Sequence, residues 1–521
     1  MIDGGRPTLA DLARVLGAVA PPHPRARVTG VTLDSRRVAP GDLYAALPGA
    51  NVHGARFAPQ AAAAGAVAVL TDPAGRADAE ATGLPVLVVD TPRAVLGDLA
   101  RRVHGDPGSA LTTFGVTGTN GKTTTAYLLE SLWRAAGWTT GLLGTVETRV
   151  AGERVSSVRT TPEAPDLHAL LARMVAAGVR GCALEVSSHA LALHRVDGLV
   201  VDVAAFTNLS QDHLDFHGSM QEYLAAKARL FTPPHSRRGV VWVDPADADG
   251  WGRRVGELAT VPVETVGPDG AGADWSVRDV RPGRAESRFR LTGPDADLHL
   301  TCPLPGAFNV ANAAVAAVAA LRLGLGPADV ERGLARAEGV PGRMQAVVRT
   351  GAPLVVVDYA HTPDALERVL TTLRVGTPGR LVAVVGAGGD RDRGKRPLMG
   401  AAVARLADVA VVTDDNPRSE DPATIRAQVL DGARAASGPA EVLEVGDRRA
   451  AVAAALARCT GPQDTVLLAG KGHERGQEVA GAVTPFDDRA VAEEELVAWL
   501  AGTGGDAGTT DGAPGARGGA R

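Results

Sequence analysis

The chain has 521 residues, 45% of them hydrophobic, which at about 150 residues per domain is enough for roughly three domains that each bury a core. A formal net charge of -5 excludes a chain-wide attraction to nucleic acid or anionic membrane, so any phosphate binding has to be local. Cys182, Cys302 and Cys459 stand apart without CxxC spacing, which argues against a disulfide framework or a zinc site and fits a reducing compartment.

Short Val/Leu/Ala runs alternate with longer Ala/Leu/Arg segments, the pattern of strands and helices in α/β layers. In chain order it predicts a strand over 86–89, helices over 122–136 and 164–177, a strand over 239–243 and a helix over 308–322. A strand over 354–357, a helix over 364–374, strands over 381–385 and 465–468 and a helix over 488–500 follow. A turn-rich break at 104–109 precedes the strand-like run 111–116, and a second break falls near Gly339–Gly342. Three α/β domains are therefore expected, 1–106, 107–339 and 340–501. From Gly502 onward eight of twenty residues are Gly, so 502–521 is expected to be a disordered tail. Met1–Gly5 lacks a charged-then-apolar leader and no apolar run reaches about 18 residues, so a cytoplasmic protein without membrane insertion is expected.

The 54 basic residues are four Lys and 50 Arg. In so Arg-rich a composition, a lysine that served only as a solvated positive charge would have been replaceable by Arg. Lys122, Lys227, Lys395 and Lys471 are therefore candidates for tasks that need a compact amine able to lose its proton.

Residues 116–124 read Val-Thr-Gly118-Thr119-Asn120-Gly121-Lys122-Thr123-Thr124, after an apolar strand pattern and before an amphipathic run. A glycine-rich turn between strand and helix lets backbone N–H groups approach phosphate oxygens, with the partial positive charge of the helix N-terminus behind them. Lys122 would reach the β- and γ-phosphates and the Thr123 hydroxyl would hold Mg²⁺. The strict phosphate-loop pattern places Gly where Val116 stands, so the loop is a variant with its glycine at Gly118.

Downstream lie Glu185-Val186-Ser187-Ser188-His189, Thr207-Asn208-Leu209-Ser210-Gln211-Asp212-His213-Leu214-Asp215, and Lys227 within an Ala/Leu-rich helix pattern. Glu185 closes an apolar strand-like stretch, and ligands of open parallel sheets collect at the carboxyl ends of strands. Glu185 and His213 are thus candidates to face the γ-phosphate with a second Mg²⁺.

Taken together with Phe308-Asn309-Val310-Ala311-Asn312 and Asp358-Tyr359-Ala360-His361-Thr362-Pro363, these motifs resemble the Mur ligase family, ATP-dependent ligases that build the peptidoglycan stem peptide. The resemblance runs from about residue 25 to 500. It implies an N-terminal α/β uridine-nucleotide-binding domain, a central P-loop ATPase-like domain with a mostly parallel sheet, and a C-terminal Rossmann-like domain. Within the family the likeness is to ligases that add the third amino acid to UDP-N-acetylmuramoyl-L-alanyl-D-glutamate through an acyl phosphate.

The resemblance also assigns roles. Lys227 is the lysine carbamylated by CO₂, a reaction that needs a neutral amine and that Arg cannot perform. The carbamate would join Glu185 and His213 around the second Mg²⁺, with Thr123 at the first. Gly118, Thr119, Asn120, Gly121, Lys122, Thr123, Thr124, Asn309, Arg343 and Asp358 match ATP contacts. Leu33 and Ser35, in Asp34-Ser35-Arg36-Arg37 and near Gly49–Gly54, match uridine contacts; Thr160, Thr161, Ser187 and Arg195 match muramoyl-dipeptide contacts. Asp415-Asn416-Pro417-Arg418, with Arg391, Gly470 and Glu474, matches the residues that hold the far end of meso-diaminopimelate, where an Arg fork suits a carboxylate. Arg159 and Leu193 depart from the pattern, standing where a relative carries Asn and Gln. A monomer is expected, with closure of the C-terminal domain before catalysis. The rival readings are a ligase of the same architecture with another amino acid such as L-lysine, a folylpolyglutamate synthetase-like enzyme, and a P-loop switch or motor.

Overall fold

The computed structural model of the protein describes residues 5–19, 23–49, 51–155 and 159–503. The chain divides into two compact units between Glu338 and Gly339, with Pro282–Ser287 and Leu304–Ala307 belonging to the second.

The first unit opens on the helix Leu9–Leu16, which starts at a reciprocal cap. The Thr8 hydroxyl accepts from the Asp11 amide at 3.2 Å while the Thr8 amide donates to the Asp11 carboxylate at 3.0 Å. It covers a four-stranded parallel sheet in the order 30–32, 42–45, 68–71, 86–88, cored by Leu43, Leu70 and Leu87. An eleven-stranded sheet follows, ordered 297–302, 287–292, 275–282, 263–268, 239–242, 203–206, 112–117, 181–185, 140–143, 148–150, 153–155. Its six consecutive pairings from 275–282 to 140–143 are all parallel, and 148–150 and 153–155 add antiparallel partners at one edge. Strands 181–185 and 203–206 are buried at every residue, so up to the terminal Glu185 they read as continuous apolar runs instead of alternating ones. Four neighbouring strands thereby present their carboxyl ends together, at Leu143, Glu185, Thr117 and Phe206.

The second unit holds a six-stranded sheet, 345–347, 354–358, 465–469, 381–385, 409–412, 441–444, parallel except for the first pair. The upstream segment is tied in by Arg284, whose guanidinium donates to the carbonyls of Pro462 and Asp464 and to the Thr465 hydroxyl. The Ser287 hydroxyl donates to Leu304 O at 3.3 Å. The last helix, Asp488–Thr503, carries its Ala/Leu/Glu pattern two residues into the segment expected to be a disordered tail; residues 504–521 lie outside the described residues, as does Ala50 of the 49–54 motif. Among the described residues no helix is long and apolar enough to cross a membrane.

Candidate active site

The turn between strand Thr112–Thr117 and helix Lys122–Ala135 is built by two glycines with positive φ, Gly118 at +151° and Gly121 at +86°. A Cβ at Gly118 would stand 2.0 Å from the Thr207 hydroxyl, and one at Gly121 2.3 Å from Asn312 Oδ1, so neither position has room for a side chain. The loop is clamped by the segment that follows strand 203–206. Thr119 N donates to Asn208 O at 2.9 Å, Asn120 N to Asn208 Oδ1 at 2.9 Å, and the Thr207 hydroxyl to Asn120 O at 2.6 Å. Ser210 N donates to the Thr119 hydroxyl at 3.0 Å. Thr123 and Thr124 are buried in the first turn of the helix. The Lys122 ammonium donates to the carbonyls of Gly118 and Thr119 at 2.8 and 2.9 Å, holding positive charge inside the turn.

Lys227, on helix Met220–Ala228, is buried and donates to the same Gly118 carbonyl at 2.8 Å, with the Tyr223 ring 4.5 Å away. Burial pushes its pKa well below the ordinary lysine value, and the charge of Lys122 adds to the shift. Sequence reading saw the oddity of a lysine there; its juxtaposition with Lys122 needs the fold.

Glu185 ends its strand buried, its carboxylate accepting from Thr145 N at 2.8 Å and the Thr145 hydroxyl at 3.0 Å. The Thr145 and Thr160 hydroxyls are 3.0 Å apart, and Thr161 donates to Glu185 O at 2.8 Å while accepting from Ser187 N at 3.1 Å. Glu185, Thr160, Thr161 and Ser187 therefore form one polar array. Thr145 carried no sequence signal, because a lone Thr after a strand is ordinary. His213, with φ +54°, is half-exposed and packs edge-on to His189 with centroids 4.8 Å apart. Asn309 accepts from Asn312 Nδ2 at 3.4 Å, which links it through Asn312 to the wall beside Gly121. Among the described residues no three His, Cys, Asp or Glu side chains gather where a metal ion could sit. The Thr123 hydroxyl and the Glu185 carboxylate are nonetheless oxygen donors of the kind Mg²⁺ takes.

A cleft of about 1060 Å³ is lined by residues from 32–49, 52–60 and 159–173 with Arg93 and Val155, Leu33 and Ser35 among them. The Ser35 hydroxyl donates to Gln60 Oε1 at 3.0 Å. Arg36 grips Asp34 with two bonds of 2.8 Å and brings its pKa down to about 2. Arg195, whose Nε lies 3.0 Å from Glu163 Oε1, is nearly buried. Arg159 also donates to Glu163, and Leu193 closes the short helix Ser188–Ala192.

In the second unit the matched residues collect at carboxyl ends of neighbouring strands. Asp358 ends its strand and accepts from Met344 N at 2.7 Å and Ala360 N at 2.8 Å; burial raises its pKa against the pull of Arg343. The Arg343 guanidinium lies 4.7 Å from the Tyr359 ring centre. Asn416 is the hub of the next loop. Its amide donates to Glu474 Oε2 at 2.6 Å, and its Oδ1 accepts from Lys471 Nζ and Glu478 N at 3.0 Å each. Lys471 is fully buried, 3.9 Å from Asp415 and 3.8 Å from Glu474. Burial, and then the charge of Asp415, raises the pKa of Glu474. A Cβ at Gly470 would meet Asp415 Oδ2 at 2.3 Å.

Arg418, with φ +52°, donates to Gly389 O at 2.7 Å, which fastens the loop 388–391 carrying Arg391 to the Asp415–Arg418 loop. A buried brace with no local signature in the sequence stands behind these loops. Arg396 donates to both Glu420 oxygens at 2.8 and 3.1 Å, to Gln428 Oε1 at 2.8 Å and to Gly388 O at 3.1 Å. Lys395 Nζ donates to His361 O at 3.0 Å.

Three family models match the chain: the Mur ligase family catalytic domain over residues 27–104, the Mur ligase middle domain over 116–320, and the Mur ligase glutamate ligase domain over 342–472. The UDP-N-acetylmuramoyl-L-alanyl-D-glutamate--2,6-diaminopimelate ligase of Streptomyces coelicolor is 55% identical over 494 residues, covering 94% of this chain and 96% of that one. The UDP-N-acetylmuramyl-tripeptide synthetase of Leifsonia xyli is 48% identical over 482 residues, covering 91% and 93%. A solved UDP-N-acetylmuramoyl-L-alanyl-D-glutamate--2,6-diaminopimelate ligase superposes with a TM-score of 0.67 at 33% identity, over 92% of this chain and 96% of its own. With matches spanning both units and relatives this similar along nearly the whole length, the chain belongs to the Mur ligase family.

Proposed function

We propose that the protein is an ATP-dependent ligase that joins meso-2,6-diaminopimelate to the D-glutamate of UDP-N-acetylmuramoyl-L-alanyl-D-glutamate, a step of peptidoglycan precursor synthesis. The observation that carries the choice of amino acid is the Asp415–Arg418 loop at the strand ends of the second unit. Asn416 holds Glu474 at 2.6 Å on one side while its own loop presents Arg418 on the other. An end group bearing both an ammonium and a carboxylate finds an anionic and a cationic partner there, whereas the bare ammonium of lysine makes no use of Arg418. The relatives named as diaminopimelate ligases support the same reading.

In the reaction the γ-carboxylate of the acceptor attacks the terminal phosphate of ATP and expels ADP, and the amine of diaminopimelate then displaces phosphate from the acyl phosphate, losing a proton as the amide forms. Phosphoryl transfer asks the protein for alignment and charge neutralisation more than for covalent help. Lys122 at the phosphate turn and the backbone N–H groups of the following helix supply the positive side, and Thr160, Thr161, Ser187 and Arg195 orient the acceptor. Thr123, Glu185, His213 and carbamylated Lys227 are the residues that would hold two Mg²⁺ ions, which when bound neutralise charge on the phosphates. Asn309, Arg343 and Asp358 would hold the nucleotide. Domains of 1–106, 107–339 and 340–501 would bind uridine nucleotide, ATP and amino acid respectively, in a monomer.

The test is phosphate release with an amino-acid panel. Turnover that needs both acceptor and diaminopimelate supports the reading. Release triggered by L-lysine or glutamate, or ATP hydrolysis without acceptor, refutes it.

A further inference from the structure

Glu163 is the N-cap of helix Ala164–Ala176, with its side chain only 13% exposed on the wall of the 1060 Å³ cleft. Its carboxylate collects guanidiniums from three separate places in the chain. Arg93, from helix Pro92–Val103, donates to Oε2 at 2.9 Å; Arg159 donates to Oε1; and Arg195 Nε lies 3.0 Å from Oε1. Arg93 lines the cleft while Arg195 stands outside its lining, and the lining residues Arg36 and Arg37 each face a carboxylate of their own, Asp34 at 2.8 Å and Asp166 at 3.1 Å. At Glu163 the ratio is reversed, because Arg93 and Arg195 alone outnumber the one anion they share. Like-charged guanidiniums repel in a weakly screened site, and a shared carboxylate between them offsets that repulsion.

We propose that Glu163 is a positioning residue for the acceptor substrate, which presets Arg93 and Arg195 as a cationic wall for an anionic group of that molecule. The proposal rests on the acceptor reading above and adds to it a residue that touches guanidiniums and not substrate, together with Arg93 as a binding residue. A site that holds its cations before binding spends less of the ligand's interaction on ordering them. The anion met by Arg93 is a phosphate or a carboxylate, since both take a planar guanidinium.

The experiment is steady-state phosphate release by the full chain with the acceptor varied at saturating ATP and diaminopimelate. In Glu163→Gln the amide keeps the shape but loses the charge, and turns an N–H donor toward guanidinium donors. Its acceptor KM is expected to rise about tenfold or more with kcat within about threefold, while the KM values for ATP and diaminopimelate stay put. Glu163→Asp, which keeps the charge one methylene short, is expected to recover part of the loss. Arg93→Gln, on a one-third exposed side chain, is expected to raise the acceptor KM without loss of fold and so carries the test where the Glu163 variants melt early. Competition by UDP alone separates the anions: it weakens in step with KM where Arg93 meets the diphosphate and stays constant where it meets a carboxylate. An acceptor KM that is unchanged or lowered in both Glu163→Gln and Arg93→Gln overturns the proposal. A wild-type protein that turns over no acceptor at all fails the functional reading instead.

Discussion

Lys122 and Lys227 aim their amines at one acceptor, the carbonyl oxygen of Gly118, each at 2.8 Å. Two ammonium groups at one oxygen repel each other, and Lys227 is the more deeply buried of the two. Lys227 is therefore the one driven toward the neutral amine that reaction with CO₂ requires. Lys227→Arg is expected to fold, judged by its melting curve, yet to lose at least about a hundredfold in phosphate release, the scale on which a lost electrostatic contributor to catalysis is felt. The neutral fraction grows as pH rises, so activation of the wild type by bicarbonate is expected to climb with pH and to do so below the ordinary lysine range. Full activity in Lys227→Arg would sink the carbamate.

Gly121→Ala tests the phosphate turn. Its φ of +86° costs an L-residue about 1–2 kcal/mol, and the new methyl lands 2.3 Å from Asn312 Oδ1. The ATP KM is expected to rise about tenfold, with the acceptor KM little changed; a variant with wild-type ATP kinetics would show that the turn is not what meets the nucleotide.

Arg418→Ala removes a guanidinium that donates to Gly389 O and stands beside Glu478 at 3.7 Å. The diaminopimelate KM is expected to rise by about ten- to a hundredfold, far more than that of ATP. An unchanged amino-acid KM refutes the assignment of this loop.

The brace behind that loop sets a pH limit. Hydrogen bonds from Arg396 and then the Asp390 amide hold the Glu420 pKa down from 4.5 to about 2. A carboxylate depressed in the folded state contributes stability that is complete above its unfolded pKa and is lost as pH falls through the folded one. The contribution is thus full above pH 4.5 and disappears between there and pH 2. Glu420→Gln should lower the melting temperature at neutral pH and flatten its dependence over that window. It should also raise the diaminopimelate KM while sparing that of ATP. A melting profile parallel to the wild type would remove Glu420 from this role.

Much of the fold is legible because buried parallel strands are apolar except at an end, as at Thr465 and Asp358: the expected 381–385 has the observed limits, and 465–468 and 354–357 fall within a residue of theirs. Helix ends shifted by one to three residues, the most at the last helix, expected over 488–500 and observed over Asp488–Thr503. The glycine turn and the odd lysine of an Ala/Leu helix were visible because each breaks a local expectation. What stayed hidden were charged residues whose purpose is another charged residue far along the chain. Arg396, Glu163, and the fully buried pair Arg448–Asp488, joined by two bonds of 2.7 Å, look in sequence like solvated surface. Only the fold makes partners of positions 24, 32 or 40 residues apart, as Arg396–Glu420, Glu163–Arg195 and Arg448–Asp488 are.

Arg284 gives the second unit a further property. The residue sits more than fifty positions before Gly339, yet it closes the carbonyls of Pro462 and Asp464 that would otherwise lack that donor. The second unit is consequently not a cassette that begins where its main sequence begins. A chimera that exchanges residues 339–503 between relatives carries the strand-end loops but leaves the Arg284 strap behind, and it will stay intact only where the host supplies the same arginine at the same place.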